Sequence, residues 1–79
     1  MEWKIKEPGL YQASVMIYPI LVQCAVQDMD DGWHSRTVIS THVDTFIREG
    51  PRALLDLDMA KWEAEFLAAS ILRNEYWDI

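Results

Sequence analysis

The stretch that decides the fold is DMAKWEAEFLAASILRNEYW, residues 58–77. It lies in the longest segment free of Gly and Pro, and strong helix formers (Ala, Leu, Met, Glu, Lys, Arg) dominate it. Asp58 is a candidate N-cap, and Asp56 is a second one just upstream. At the angular step of an α-helix, Met59, Trp62, Phe66 and Trp77 fall on one side, beside Ala69 and Ser70. Ala60, Ala64, Leu67 and Ile71 form a second apolar band, and Leu72 with Tyr76 a third. A helix this apolar around its circumference packs on more than one side. The large aromatics are expected to face the core. The band of Leu67 and Ile71, extended by Leu72 and Tyr76, is then left for a partner.

The segments upstream of this helix read as strands. In Ile20–Gln27 (ILVQCAVQ), Ile20, Val22, Cys24 and Val26 alternate with Leu21, Gln23, Ala25 and Gln27, which places the first set, Cys24 included, on the core face. The turn sequence DMDDG, residues 28–32, follows, and its Asp-Gly end suits positive φ. Trp33–Thr41 (WHSRTVIST) is the β-branched return strand, so residues 20–41 form a central hairpin. Leu10–Tyr18 is a third strand with Tyr11, Ala13, Val15 and Ile17 on one face, and Pro19 marks an edge, bulge or bend after it. Residues 1–9 form an N-terminal arm, loose or edge-paired, ending in the Pro8-Gly9 turn, with Trp3 packed back on the domain.

Two readings of residues 42–57 stay open. A short helix over Val43–Glu49 could end at Gly50, or the return strand could run on to Phe46. Pro51 suits the first position of a helical turn, with Arg52–Asp56 either a short helix or the front of the long one. A break at Asp56–Asp58 is expected. The fold class is therefore α+β: one domain over residues 1–79, a three-stranded antiparallel sheet packed on one face by a C-terminal helix over residues 58–76.

Seventy-nine residues with four Trp, three Tyr and two Phe suffice for one small core. The net charge is −6, and the excess is uneven. Residues 1–27 balance to zero, whereas the rest carry eleven acidic and five basic side chains. Direct binding to phosphate backbones or anionic lipid is disfavoured, because both require clustered Lys and Arg. A protein with a basic surface, including one that normally holds nucleic acid, is electrostatically suited as a partner. Moderate negative charge also serves solubility alone. Charges at Glu2, Lys4 and Lys6 stand where a signal peptide has its apolar run, and the longest apolar run, Val15–Val22, is too short to span a bilayer, so a cytoplasmic location is expected.

Catalytic and metal-binding patterns are not evident. DMDDG lacks the alternate carboxylates of a calcium loop, and the twelfth position counted from Asp28 is Ile39 rather than Glu. His34 and His42 share strand parity but stand about 26 Å apart by the strand rise, too far to share a metal. Cys24 is the lone cysteine, faces the core and has no orienting base in the pattern. No enzyme activity, cofactor or metal is expected. The candidate contact residues are the hairpin-tip acids Asp28, Asp30 and Asp31, the acids at the helix start, Asp56 and Asp58, and Glu63 with Glu65. Helix capping and a solvated turn account for the same acids without any partner.

A short, acidic, single-Cys, Trp-rich chain with DMDDG in a hairpin and DLD before an aromatic helix resembles the small phage-encoded inhibitors of the anti-CRISPR type. The resemblance is one of profile over the whole chain, without a diagnostic motif. It implies stoichiometric binding to a CRISPR effector complex and a block on target-DNA binding, within a host cell's cytoplasm. The rival reading is an assembly module or homodimer joined through the apolar helix.

Overall fold

The computed structural model describes residues 1–77, with side chains as far as residue 74. Five antiparallel strands form a meander in the order β1-β2-β3-β4-β5: Lys4–Glu7, Leu10–Ile17, Ile20–Met29, Gly32–Ser40 and Thr45–Glu49. Helix α1, Leu57–Ile71, packs on one face of the sheet, and a π-helical segment, Leu72–Trp77, continues it. The class is α+β, but the expected three-stranded sheet is overturned by the two outer strands. Both are short and lie beside a strand already formed. β1 turns through Pro8-Gly9 (Gly9 φ 82°) and pairs Ile5 with Tyr11 and Lys4 with Gln12. β5 follows a turn closed by the Thr41 side chain, whose Oγ1 accepts from the Asp44 N–H at 3.0 Å. It then runs back along β4 from Ser40–Thr45 to Arg36–Glu49, so a strand replaces the alternative helix over 43–49.

The three inner strands follow their apolar alternation. Ile20, Val22, Cys24 and Val26 are buried, as are Ala13 on β2 and Ile39 on β4. Ser35 and Thr37, polar residues of β4 on this face, are buried too. The β2–β3 hairpin turns at a cis Tyr18–Pro19 bond. Among the described residues no helix covers the other face, which carries Gln12, Ser14, Gln23, Ala25 and Arg36.

Asp56, the upstream candidate, is the N-cap of α1. It has extended backbone (φ −106°, ψ 123°) and accepts from the Asp58 N–H at 2.9 Å, a cap worth about 1 kcal/mol. The faces of α1 are the reverse of the expected ones. Ala60, Ala64, Ala68 and Ile71 face the sheet and are buried, whereas Met59, Trp62 and Phe66 face outward. The three alanines leave room for the backbone of α1 to approach β3 and β4. At closest approach the Thr37 hydroxyl donates to the Ala64 carbonyl at 2.7 Å, and Cys24 Sγ lies 3.7 Å from the same oxygen. Large aromatics at those positions would hold the helix off the buried Ser35 and Thr37. Bulk comes instead from the flanks, where Trp3, Tyr11, Trp33, Phe46, Leu54 and Leu57 pack around the seam. Ile71, expected among the partner-facing residues, belongs to the core, and the side chains of Tyr76 and Trp77 lie outside the described residues.

Candidate interaction surface: an acidic end and an exposed aromatic stripe

Three connections converge at one end of the sheet. Asp28 N–H donates to the Gly9 carbonyl at 2.8 Å, tying the β3–β4 tip to the β1–β2 turn. Trp33 and Leu54 exchange backbone hydrogen bonds at 2.7 and 2.9 Å, which pins residues 51–56 beside the same tip. Gly32 (φ 132°) permits this approach, because a Cβ there would lie 2.7 Å from the Leu54 carbonyl oxygen. α1 then starts at Leu57. Residues 52–56 are therefore an extended and turning connection, neither a short helix nor the front of the long one.

This arrangement gathers Asp28, Asp30, Asp31, Asp56 and Asp58 at one end, all five exposed. Asp31 Oδ1 lies 2.7 Å from His34 Nε2, and that hydrogen bond holds the Asp31 carboxyl below its ordinary range. Glu63 and Glu65 each accept a hydrogen bond within the fold. Glu63 accepts the buried Ser35 hydroxyl, against a Gly50 whose absent Cβ leaves space for both groups. Glu65 accepts Trp3 Nε1–H at 2.8 Å and lies 3.9 Å from the Met1 amino group. Lys61 Nζ sits 4.7 Å from the Tyr11 ring centroid and 5.9 Å from that of Trp3, completing the clasp on the N-terminal arm.

From the acidic end an apolar stripe runs along the outer face of α1. Leu55 is almost wholly exposed, Met59 follows, and Trp62 and Phe66 are 59% and 54% exposed. Their rings stack at 5.3 Å with a 20° interplanar angle, so each aromatic is ordered by the other rather than by the core. Arg52, Pro51 and Leu54 flank Met59 and Trp62 in a shallow depression. Exposed contiguous aromatics of this kind mark contact surfaces. Sequence reading assigned Met59, Trp62 and Phe66 to the core. The pointer to the opposite arrangement is the run of Ala60, Ala64 and Ala68, small residues one turn apart on the far side of the helix.

The larger concavity, about 660 Å³, lies on the open sheet face between Lys4, Gln12, Gln23 and Arg36. Its lining also includes Glu2, Lys6, Ser14 and Cys24. Among the described residues no three His, Cys, Asp or Glu side chains are grouped to hold a metal ion. Burial pushes the Cys24 thiol above its ordinary range, opposite to what a nucleophilic cysteine requires. No helix among the described residues is long and apolar enough to cross a membrane. No protein-family model, curated protein or solved structure matches the chain.

Proposed function

We propose that the chain is a non-enzymatic binding protein that docks its acidic end on a basic, nucleic-acid-binding surface of a protein partner and blocks it. The gathering of five exposed aspartates on a hydrogen-bonded frame carries this reading. Because Trp33–Leu54 and Asp28–Gly9 fix the backbone that carries the aspartates, part of the ordering cost of binding is met before the partner arrives. Such a cluster steers a cationic surface into contact and competes with phosphates for it. The adjoining Met59–Trp62–Phe66 stripe supplies the apolar centre that acids at a rim cannot, since binding energy concentrates in desolvated aromatics. The sequence profile points to CRISPR effector complexes as the partner class. Replacing Asp28, Asp30 and Asp31 together by Asn tests the reading. The folded variant is expected to bind such a complex at least tenfold more weakly at low salt, about 1.4 kcal/mol or more, and to lose most of the salt dependence. Unchanged affinity in a natively folded variant removes the acidic end from the interface.

The second reading, an assembly module, is favoured by the stripe itself and uses Met59, Trp62 and Phe66 in place of Leu67 and Ile71. It differs in a measurable way: association through the stripe alone is insensitive to salt and to the three Asn substitutions, and is lost on Trp62→Ser.

A further inference from the structure

The sheet has one unguarded stretch of edge, and it lies away from the acidic end. β1 covers β2 only over Leu10–Gln12. Before Lys4 the chain leaves the sheet, drawn onto α1 by the Trp3–Glu65 hydrogen bond. Residues 13–17 are thus paired with β3 on one side, and among the described residues no strand pairs with them on the other. Exposed edges are normally blunted by charge, proline or a bulge. β1 carries Lys4, Lys6 and Glu7, and β5, the opposite edge, carries Arg48 and Glu49. The stretch from Gln12 to Tyr18 has no charge and no proline, and its register with β3 runs from Leu10 to Ile17 without a bulge. Four of its seven side chains are large, apolar and exposed: Val15, Met16 at 60%, Ile17, and Tyr18 at 86%; Ala13 is buried.

We infer that two copies of the chain pair antiparallel through this edge, joining their sheets about a two-fold axis within residues 13–17. Antiparallel pairing of one strand with itself is self-complementary: each copy offers the same alternate N–H and C=O groups, and none needs a charged partner. With the axis at Val15, Val15 and Ile17 of both copies extend the helix-side layer, and Met16 of each copy lies opposite Ser14 of the other on the open face. The self-complementary edge selects a second copy as the occupant, and its lack of charge permits one. Two chains of net charge −6 repel, and this strip lets them meet where neither is charged, with the five aspartates at the far ends. The pairing consumes the free edge, so the assembly closes at two chains and leaves both acidic ends open.

Five residues per strand make a small interface, so the dimer is weak, with a dissociation constant on the order of micromolar or higher. Sedimentation over a wide concentration range, at moderate salt, tests it. The weight-average mass is expected to rise from one chain to two and stop there. Val15→Lys/Ile17→Lys puts charges into the pairing strip and weakens the dimer by roughly tenfold or more. Should that variant not fold, Met16→Lys, at a site already exposed on the open face, gives the same readout. Trp62→Ser leaves the dimer intact. The inference is overturned by a strict monomer throughout, by growth beyond two chains, by a dimer that tolerates the folded Lys variants, or by one that Trp62→Ser dissolves.

Discussion

The orientation of α1 determines whether the aromatic stripe is available to a partner, and one substitution made on opposite faces measures it. Ala64 is fully buried, and its carbonyl receives the Thr37 hydroxyl at 2.7 Å; Ala69 stands on the exposed side. Ala64→Leu and Ala69→Leu add the same atoms at the same helix propensity cost, so any difference between them is packing. At Ala64 the added side chain must push the helix from β3 and β4. Overpacking of this kind costs about 1–3 kcal/mol. Stretching the Thr37 bond adds about 1 kcal/mol, the lower part of the range, because the carbonyl keeps its helical N–H partner while the hydroxyl loses its acceptor. The sum, about 2–4 kcal/mol, lowers Tm by roughly 10–30 °C in a domain of this size. Ala69→Leu is expected to stay within about 0.5 kcal/mol of the parent. Urea unfolding followed by tryptophan fluorescence reads both. Equal losses would contradict one-sided packing of α1, and a larger loss at Ala69 would place the Met59–Trp62–Phe66 side against the sheet.

Gly50→Ala drives a Cβ into the space held by the Ser35 hydroxyl and the Glu63 carboxylate. Displacing Glu63 leaves a buried hydroxyl without its acceptor, a loss of about 1–3 kcal/mol in urea unfolding; unchanged stability contradicts the packing described here. Cys24 is expected to resist thiol reagents in the native protein and to react on unfolding. With its pKa raised by burial, its contribution to the folded state is present in full below the unfolded thiol value and is lost as pH rises through the raised one, and labelling at neutral pH as fast as in urea would contradict its burial. Asp31 is the opposite case: with its pKa lowered by His34, it favours the folded state above the unfolded carboxylate value, and that contribution fades as pH falls through the lowered one. In His34→Ala, an NMR titration should find Asp31 moved up toward its ordinary value, and an unmoved midpoint would show that the pair does not form in solution.

The strands with long apolar alternation were legible in the sequence; of the two outer ones, β1 was legible only as an alternative, an edge-paired arm, and β5 is neither a helix over 43–49 nor an extension of the return strand to Phe46. β3 and β4 alternate over enough residues to fix their faces, and β2 nearly so. β1 and β5 are four and five residues long, and each is a strand because a neighbouring strand and a turn present it with partners. Hydrophobicity alone sorted the helix wrongly. It ranks Trp62 and Phe66 above Ala60 and Ala64, whereas close approach to a strand carrying buried Ser35 and Thr37 selects for small size. The acidic residues were visible individually. Their gathering at one end was not, since it depends on the Trp33–Leu54 and Asp28–Gly9 hydrogen bonds between distant segments. Glu63 and Glu65 looked like surface acids because nothing in their spacing announces Ser35 and Trp3 as partners.

On the proposed reading, the acidic end and the stripe beside it form a docking surface for a basic nucleic-acid-binding protein. The most direct measurement is competition on a reconstituted CRISPR effector complex: target-DNA binding titrated with the parent chain, the Asp28→Asn/Asp30→Asn/Asp31→Asn variant and Trp62→Ser. Stoichiometric displacement of DNA by the parent, weakened by both variants and relieved by rising salt, is the predicted result. DNA binding unaffected by the parent contradicts the CRISPR assignment. Displacement that both folded variants reproduce in full contradicts the docking surface itself.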